Sequence, residues 1–210
     1  MHLSWLGLSS FKIETKEAVL VTDPFSPKVS QKPLRAKADI VTVTDPESST
    51  ANHLDGIQGE PFVIENSGEF ELKGIFVQGL PIKNQNGEIT STLFLYDLEG
   101  IRLAHMGNLS VMPDSDTLEK MDGVDVLFLA VGGAKMDLKQ SMKVFNEIEP
   151  RIVVPMEYEQ KGVNIGTKLS PVSAFLKEMG ATGVKPVDKM IFKKKDLPNE
   201  EDTQVVLFTV

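Results

Sequence analysis

The amino-acid sequence predicts one α/β domain over residues 1–210, in which two largely β layers are covered by helices. Two observations favour this class. Short alternating or β-branched segments separated by tight turns fill the first half of the chain, as in antiparallel sheets. The second half alternates apolar segments with amphipathic ones, which is typical of strand–helix–strand units. A chain of 210 residues is long enough to bury a substantial core.

Short strands are predicted through most of the first half. Residues 11–14 alternate apolar and charged side chains, which indicates a half-exposed strand. Residues 38–44 are rich in β-branched side chains and indicate a buried strand. The Asn86-Gly87 pair predicts a hairpin turn. The other strands predicted here are 1–6, 18–22, 61–65, 69–72, 74–80, 92–96 and 101–105.

Helices are predicted in the second half. Residues 137–148 carry apolar side chains at helical spacing, with Asp137 at the favourable N-terminal end. Residues 114–121 predict a helix with Ser115 or Asp116 as its N-cap. Residues 170–179 predict another, with Ser170 as N-cap and Pro171 in its first turn. The strands predicted between and after these helices are 124–131, 151–156, 190–194 and 204–210.

Composition narrows the classes of function. The net charge of −8 and the pI near 5.0 argue against a nucleic-acid surface. No apolar run is long enough to cross a bilayer, and the N-terminus does not resemble a secretory signal. The sequence contains no cysteine, which excludes disulfides, thiolate zinc sites and cysteine nucleophiles. We therefore expect a cytoplasmic protein that contacts neither nucleic acid nor membrane.

A polar loop follows the predicted strand at 38–44. Asp45-Pro46 ends the strand, and small polar or acidic side chains continue to His53. Proteins of the α/β class commonly place functional groups at such strand ends. The loop is therefore the first candidate for a functional site.

Several short motifs occur in an order that is characteristic of a known family. They are Trp5-Leu6-Gly7 with Ser9-Ser10-Phe11, Asp23-Pro24-Phe25, the strand at 38–44, Ser67-Gly68-Glu69-Phe70 before Gly74, the strand ending in Val131-Gly132-Gly133, and PRIVVPMEY at 150–158. With these motifs the chain resembles the metallo-β-lactamase-fold hydrolases, and among them the ascorbate-6-phosphate lactonase-like subgroup. The resemblance implies an α/β (α+β) fold with four layers, the αββα sandwich.

The resemblance also implies where a metal site would lie. Members of the family hold one or two metals, usually zinc, through a His-x-His-x-Asp-His loop, a further His, a bridging Asp and a final His. Zinc bound by imidazoles lowers the pKa of a bound water and so generates hydroxide. In this sequence the corresponding positions are Asp45, Glu47, Ser49, Thr50, Lys83 or Asn84, Asn108 and Glu157. None of them is a histidine.

Two hypotheses follow from these positions. The first is a non-catalytic pseudo-hydrolase with no metal cofactor, which binds a small molecule or a protein partner or has a structural role. The second is a metal-dependent hydrolase of lactones, phosphodiesters or esters, with a rebuilt oxygen-rich site for Mn, Mg or Zn. That site would use Asp45, Glu47, Asn108 and Glu157, with His105 as an additional candidate. Because family members often associate, a homo-oligomer is among the partners considered.

The remaining candidate residues have simpler interpretations. His2 and His53 are interpreted as structural or surface histidines, whereas His105 ends a predicted strand beside the pocket. Gly132-Gly133 lacks the spacing of a phosphate-binding loop and is interpreted as a tight turn. No Ser, His and acid arrangement of a hydrolase triad is recognisable.

Overall fold

A computed structural model describes residues 1–30 and 33–209, which form two large mixed β-sheets, a small parallel sheet of the two strands Ala36–Lys37 and Ile57–Gln58, and short helices. The strands in chain order are β1 (His2–Gly7), β2 (Ser10–Glu14), β3 (Val19–Thr22), β4 (Ala36–Lys37), β5 (Ile40–Thr42), β6 (Ile57–Gln58), β7 (Phe62–Ile64), β8 (Gly68–Leu72), β9 (Ile75–Lys83), β10 (Ile89–Leu98), β11 (Ile101–His105), β12 (Val126–Ala130), β13 (Ile152–Met156), β14 (Met190–Ile191) and β15 (Gln204–Val205). The helices are α1 (Ser115–Lys120), α2 (Leu138–Ile148) and α3 (Ser173–Glu178), and short 3₁₀ turns cover Leu54–Gly56 and Lys194–Asp196.

The first sheet has the strand order β14-β1-β2-β3-β5-β7. Strands β1, β2 and β3 form an antiparallel meander, with a β-bulge between Trp5 and Gly7. Strands β3, β5 and β7 then run parallel. The carboxyl ends of these parallel strands therefore meet at one edge of the sheet.

The second sheet has the order β15-β13-β12-β11-β10-β9-β8. Strands β8 to β11 form antiparallel hairpins, whereas β11, β12, β13 and β15 run parallel. The carboxyl ends of β11, β12 and β13 thus lie side by side. A backbone hydrogen bond of 2.8 Å from Thr92 to Thr44 links this sheet to the loop after β5.

The main core lies between the two sheets. Phe11 from β2 packs on Phe128 from β12, with ring centroids 4.5 Å apart, and also contacts Trp5 and Phe208. These aromatic side chains are buried, as alternation along β2 predicts. The inter-sheet core also contains polar links, among them a 2.7 Å hydrogen bond between the Tyr96 and Thr42 hydroxyls. Two sheets packed face to face confirm the predicted fold class.

The outer faces of the two sheets are covered differently. Helix α2 packs on β12 of the second sheet. On the first sheet Leu20 and Ile40 face the main core, whereas Val21 and Val41 point to the opposite face because side chains alternate along a strand. There they form a second apolar cluster with side chains from the β3–β5 connection and with Leu169. Connecting segments thus bury much of that outer face.

Several predicted boundaries are wrong for identifiable reasons. The N-cap of α1 is Asp114, whose carboxylate accepts the backbone N–H of Thr117 at 2.9 Å, and not Ser115 or Asp116. Ser170 is not the N-cap of α3, because that helix begins at Ser173 and the Ser170 N–H donates to the Gly132 carbonyl. Asp137 does cap α2 as predicted, in a capping box with Gln140.

Some strands in the structure are shorter than the ranges predicted from the apolar residues. The strand predicted at 38–44 is regular only over Ile40–Thr42. The Val43 N–H still donates to the Ile64 carbonyl at 2.9 Å, but the Thr44 N–H is taken by the Asp23 carboxylate rather than by a neighbouring strand. At 190–194 the strand covers only Met190–Ile191, Phe192 still donates its N–H to the Met1 carbonyl at 3.2 Å, and a 3₁₀ turn begins at Lys194. At 204–210 the ladder is limited to Gln204–Val205, while Phe208 bridges Val187 and Val210 lies outside the described residues.

Across the described ranges, no helix is both long and apolar enough to span a bilayer.

Truncating the central aromatic side chain should test the inter-sheet core. We expect Phe11→Ala to lower the free energy of unfolding by about 3–5 kcal/mol, because it opens a cavity among rings that are buried. The matched control Phe62→Ala removes a ring that is 48% exposed and should cost about 1 kcal/mol or less. Urea denaturation of both variants measures the difference, and equal losses would contradict this account of the core.

Candidate functional site

The candidate site lies where the carboxyl ends of the parallel strands of both sheets face one another. Asp23 follows β3, His105 ends β11 and Glu157 follows β13. Each polar side chain is placed there because a buried apolar strand ends immediately before it or at it. We call this group of residues, together with Ser9, Thr44, Asp45, Asn108 and Lys135, the strand-end pocket.

Asp23 holds the loop after β5. Its backbone has a φ of 37°, in the left-handed region, and its side chain is buried. The carboxylate accepts the Thr44 backbone N–H at 2.7 Å and the Thr44 hydroxyl at 2.8 Å. The Asp23 N–H in turn donates to the Thr42 carbonyl at 2.8 Å. The ends of β3 and β5 are thereby locked together.

His105 is a neutral buried side chain. Its Nε2 lies 2.8 Å from the Ser9 carbonyl oxygen. Because a carbonyl oxygen can only accept, Nε2 carries the proton and donates a hydrogen bond. Its Nδ1 is 4.0 Å from a carboxylate oxygen of Asp23 and makes no hydrogen bond to any described residue. Burial lowers the pKa of His105 to about 4, and the bond to Ser9 only partly opposes this change.

Glu157 is the second buried carboxyl group. It adopts a φ of 55° directly after β13, and its Oε2 accepts a hydrogen bond from the Asn108 amide at 3.1 Å. Burial raises the pKa of Glu157 to about 7, while the Ser9 hydroxyl and the positive charge of Lys135 lower it. Burial also raises the pKa of Asp23 to about 7, against the lowering effect of Thr44, and the charge of Glu157 adds to the rise.

Ser9 lies beside both of these carboxyl groups. Its hydroxyl lowers the pKa of Asp23 and of Glu157, and its oxygen is buried with no hydrogen-bond partner among the described residues. Its carbonyl accepts from the Thr22 hydroxyl at 2.8 Å as well as from His105. Ser9 thus belongs to the pocket through both backbone and side chain.

Two glycines allow the loops to approach closely. A Cβ at Gly107 would lie 2.4 Å from the Thr44 hydroxyl, and the residue has a φ of 57°. A Cβ at Gly132 would lie 1.9 Å from the Glu157 carbonyl oxygen. Because such distances are below van der Waals contact, only glycine fits these positions without a shift.

Lys135 connects the two sheets across the pocket. Its ammonium lies 3.1 Å from Oδ2 of Asp45, in the loop that follows β5. The two side chains are 38% and 19% exposed, so the pair is partly shielded from water. Lys135 itself is in the loop between β12 and α2.

The other residues predicted for the site lie elsewhere or face solvent. Glu47 and Ser49 are exposed, and the Thr50 hydroxyl is 3.1 Å from that of Ser48. Asn84 lies in the hairpin turn between β9 and β10. Its side-chain oxygen accepts two backbone N–H groups, and its side-chain NH₂ donates to Glu88. His53 is 3.3 Å from Asp55, consistent with the surface role predicted for it.

The structure therefore brings together only part of the predicted set. Asp45, His105, Asn108 and Glu157 contribute to the strand-end pocket. Within residues 1–30 and 33–209, no group of three or more His, Asp or Glu side chains is arranged to hold a metal ion. Sequence reasoning missed Thr44 and Lys135 as site residues, and it treated Ser9 and Asp23 only as parts of motifs. The position of Asp23-Pro24 after an apolar strand was an available signal, whereas nothing in the sequence indicates that Lys135 reaches Asp45.

A depression of about 740 Å³ lies at the opposite end of the strands. It is lined by Arg102, Asp125 and Arg151, among others. The Asp125 carboxylate accepts the Arg102 backbone N–H at 2.9 Å and lies 3.4 Å from the Arg151 guanidinium. These charges are already partnered within the chain, so we assign no chemistry to this depression.

The pKa values in the pocket determine how it contributes to stability as pH changes. Asp23 has a pKa of 3.8 when unperturbed and about 7 in the folded chain, so the unfolded chain releases this proton at lower pH. Its stabilising contribution is thus complete below about pH 4 and is lost as pH rises to about 7, at up to about 1.4 kcal/mol per pH unit. Glu157 acts in the same direction. His105 acts in the opposite direction between its folded pKa of about 4 and its ordinary value of 6.5.

Replacing Asp23 by asparagine should flatten this dependence. The amide oxygen of Asp23→Asn can still accept the Thr44 N–H but has no proton to release, so we expect a smaller fall in stability from pH 4 to about pH 7. Urea denaturation across this pH range gives the measurement. The control Asp114→Asn should leave the slope unchanged, because hydrogen bonds to Thr117 lower the pKa of Asp114 and move its effect to more acidic pH. A slope for Asp23→Asn equal to that of the wild type would contradict the assignment.

The close approach at Gly132 can be tested by adding one methyl group. We expect Gly132→Ala to destabilise the protein by about 1–3 kcal/mol, because the new Cβ must displace the Glu157 backbone. Gly183→Ala is the matched control, since neither glycine has a positive φ and a Cβ at Gly183 would meet no atom within 4 Å. Thermal unfolding should separate the two variants. Equal melting temperatures would show that the β12 and β13 ends can move apart without cost.

Comparisons with known proteins agree with this geometry. A family model described as the beta-lactamase superfamily domain matches residues 2–157. The chain is 24% identical over 192 residues to a protein from Thermococcus onnurineus named a metal-dependent hydrolase, with 75% of this chain and 84% of that protein covered. A similarly named protein from Pyrococcus abyssi is 26% identical over 191 residues, with the same coverage of 75% and 84%.

Solved structures show the same architecture. A structure from Thermotoga maritima, described as a Zn-dependent hydrolase of the metallo-β-lactamase superfamily, superposes with a TM-score of 0.79 at 24% identity and covers 99% of both chains. Igni18, a metallo hydrolase from Ignicoccus hospitalis, superposes with a TM-score of 0.62 at 16% identity and covers 91% of this chain and 99% of its own. The family model spans more than half of the sequence, and the structural likeness extends over nearly all of it. The chain therefore belongs to the beta-lactamase superfamily domain family and has the metallo-β-lactamase fold.

Proposed function

We propose that this protein uses the strand-end pocket without a bound metal, in a binding or structural role rather than in hydrolysis. The observation that carries the proposal is the pair of internal contacts at the pocket. The Lys135 ammonium neutralises Asp45 at 3.1 Å, and the Asn108 amide donates to Glu157 at 3.1 Å. The carboxylates of Asp45 and Glu157, which would have to turn toward a metal, thus already bind other side chains.

The chemistry of the available donors does not fit the metal that the family implies. A zinc hydrolase needs several imidazole or carboxylate ligands that point to one position. Here the Nε2 of His105 is committed to the Ser9 carbonyl, and Asn108 presents N–H rather than oxygen to its neighbour. Glu47, on the same loop as Asp45, is exposed. We therefore derive no reaction step through a metal.

A non-catalytic role is compatible with the titration behaviour of the pocket. Two buried carboxyl groups with pKa values of about 7 and a neutral His105 hold less negative charge near neutral pH than two fully ionised carboxylates would. The occupant we propose is a small molecule or a protein partner, with a second copy of the chain as one such partner. The net charge of −8 and the absence of cysteine support a cytoplasmic role that does not involve nucleic acid.

The names of the relatives favour a second candidate function. Both archaeal relatives are named metal-dependent hydrolases. In this candidate, Asp45, Glu47, Asn108 and Glu157 would form an oxygen-rich site for Mn, Mg or Zn, acting on a lactone, a phosphodiester or another ester. It requires Lys135 to leave Asp45 and the Asn108 amide to turn its oxygen toward the metal ion, which breaks its hydrogen bond to Glu157.

Metal content separates the two candidates. We expect the purified protein to contain less than about a tenth of an equivalent of metal after dialysis without chelator, and no more after loading with Zn²⁺ or Mn²⁺, because the pocket lacks converging ligands. Plasma mass spectrometry measures this directly. We also expect no rise in melting temperature on adding either ion.

Site variants give the experiment its control. Close to one equivalent in the wild type, lost in Asp45→Ala and Glu157→Ala, would overturn the proposal and support the hydrolase. The variant Glu47→Ala at an exposed position distinguishes a site that includes Glu47 from one that does not. If metal binds, hydrolysis of lactones, phosphodiesters and esters is the next assay.

A further inference from the structure

The first sheet ends in a strand edge on each side. Its strand order places β7 at one edge and β14 at the other. Among the described residues, β7 pairs only with β5 and β14 pairs only with β1. The outer side of an edge strand can receive a segment of another chain, so each edge is a candidate contact surface. The two edges are five strand spacings apart, or about 24 Å.

Each edge also exposes a large apolar side chain. Phe62 of β7 is 48% exposed and lies beside Phe70 of β8, with ring centroids 6.2 Å apart. Ile191 of β14 is 67% exposed, more than any other large hydrophobic side chain in the described ranges, and Val187 just before this strand is 41% exposed. Exposed apolar groups that cluster in one place are typical of surfaces that bind a partner.

The two edges carry opposite charges. Residues 60–72, which we call the acidic edge, contain four glutamates and no lysine or arginine. Residues 185–195, which we call the basic edge, contain five lysines and one aspartate in a chain whose net charge is −8. These glutamate and lysine side chains are all exposed, and they are Glu60, Glu65, Glu69, Glu71, Lys185, Lys189, Lys193, Lys194 and Lys195.

Most of these charges lack an opposite charge within the part of the chain that the structure describes. None of the four glutamates forms an ion pair there, and Lys73, just after the acidic edge, is already paired with Asp39. Among the five lysines only Lys189 forms an ion pair, with Glu14 at 3.3 Å. The two edges are therefore complementary in charge, and each has an apolar side chain to bury.

We propose that copies of this chain associate head to tail, with the acidic edge of one copy against the basic edge of the next. One copy cannot join its own edges, because they lie on opposite sides of the same sheet. A contact between two different surfaces leaves one edge of each kind free on a dimer, so association continues into a ring or a chain. This inference goes beyond the proposed function, since it concerns the sheet edges rather than the strand-end pocket.

Two variants each disable one edge. The acidic-edge variant combines Phe62→Ser with Glu65→Gln, and the basic-edge variant combines Ile191→Ser with Lys193→Gln. Each change removes an apolar side chain and a charge without introducing a new charge. Because all four replaced side chains are exposed, both variants should fold, which thermal unfolding checks.

The chain offers a matched control in the hairpin between β9 and β10. Ile89 is 59% exposed and lies opposite Lys83, which is also exposed. The control variant combines Ile89→Ser with Lys83→Gln. It removes the same kinds of groups from a surface outside both edges.

Sedimentation equilibrium measures the association. At about 0.1 M NaCl the Debye length of about 10 Å screens repulsion between whole chains but not contacts within an interface. Because edges this short bury little surface, we expect a weak contact, with species larger than a dimer in the wild type at about 0.5 mM. Either edge variant should weaken the association at least about tenfold, since an apolar contact and a charge are lost together. The control should associate as the wild type does.

Mixing the two edge variants tests the pairing itself. Each variant keeps one intact edge, so an equal mixture should form dimers and nothing larger. A mixture that stays monomeric would overturn the inference, because the two edges would not be partners of one another. A monomeric wild type, or a wild type that stops at a dimer, would overturn it as well. An equal loss of association in the control would place the contact elsewhere on the chain and would also overturn it.

Discussion

The strand-end pocket depends on the buried carboxylate of Asp23. It accepts two hydrogen bonds from Thr44 and so ties the end of β3 to the loop that follows β5. Without it the Thr44 N–H would be buried without a partner, at a cost of about 1–3 kcal/mol. The position of Thr44 in turn determines where Asp45 begins and how closely Gly107 can approach.

The pocket also shows how a fold can keep acidic side chains without a metal. Asp23 and Glu157 are buried and have raised pKa values, so each carries a proton for part of the time near neutral pH. Asp45 remains closer to solvent and pairs with Lys135. Protonation and an internal ammonium are two physical ways to remove negative charge, and the same surroundings keep His105 neutral. The scaffold is shared with proteins named hydrolases, but activity depends on the groups in the site rather than on the fold.

Much of the architecture could be predicted from local patterns. Alternation in residues 11–14 and the apolar segment at 124–131 identified strands β2 and β12, because burial on one or both faces has a direct signature in sequence. The apolar side chains at helical spacing after Asp137 likewise predicted helix α2. The end of β5 could not be predicted, since Thr44 leaves the ladder for a carboxylate that is distant in the chain. The N-cap of α1 was misplaced by one or two residues, because Asp114, Ser115 and Asp116 are all good caps and only geometry selects among them.

The sequence by itself determined the fold class, the family likeness and the absence of histidine at the positions expected for metal ligands, because each depends on residue types and their order. Only the tertiary structure decided what those positions do. Asn84 belongs to a hairpin turn and Glu47 faces solvent, whereas Asn108 and Glu157 meet although 49 residues separate them. Lys135 reaches Asp45 because the sheets bring the ends of β5 and β12 together. Contacts between distant segments leave no periodic signal in a sequence, so the partners of charged side chains become known only when the sheets are assembled.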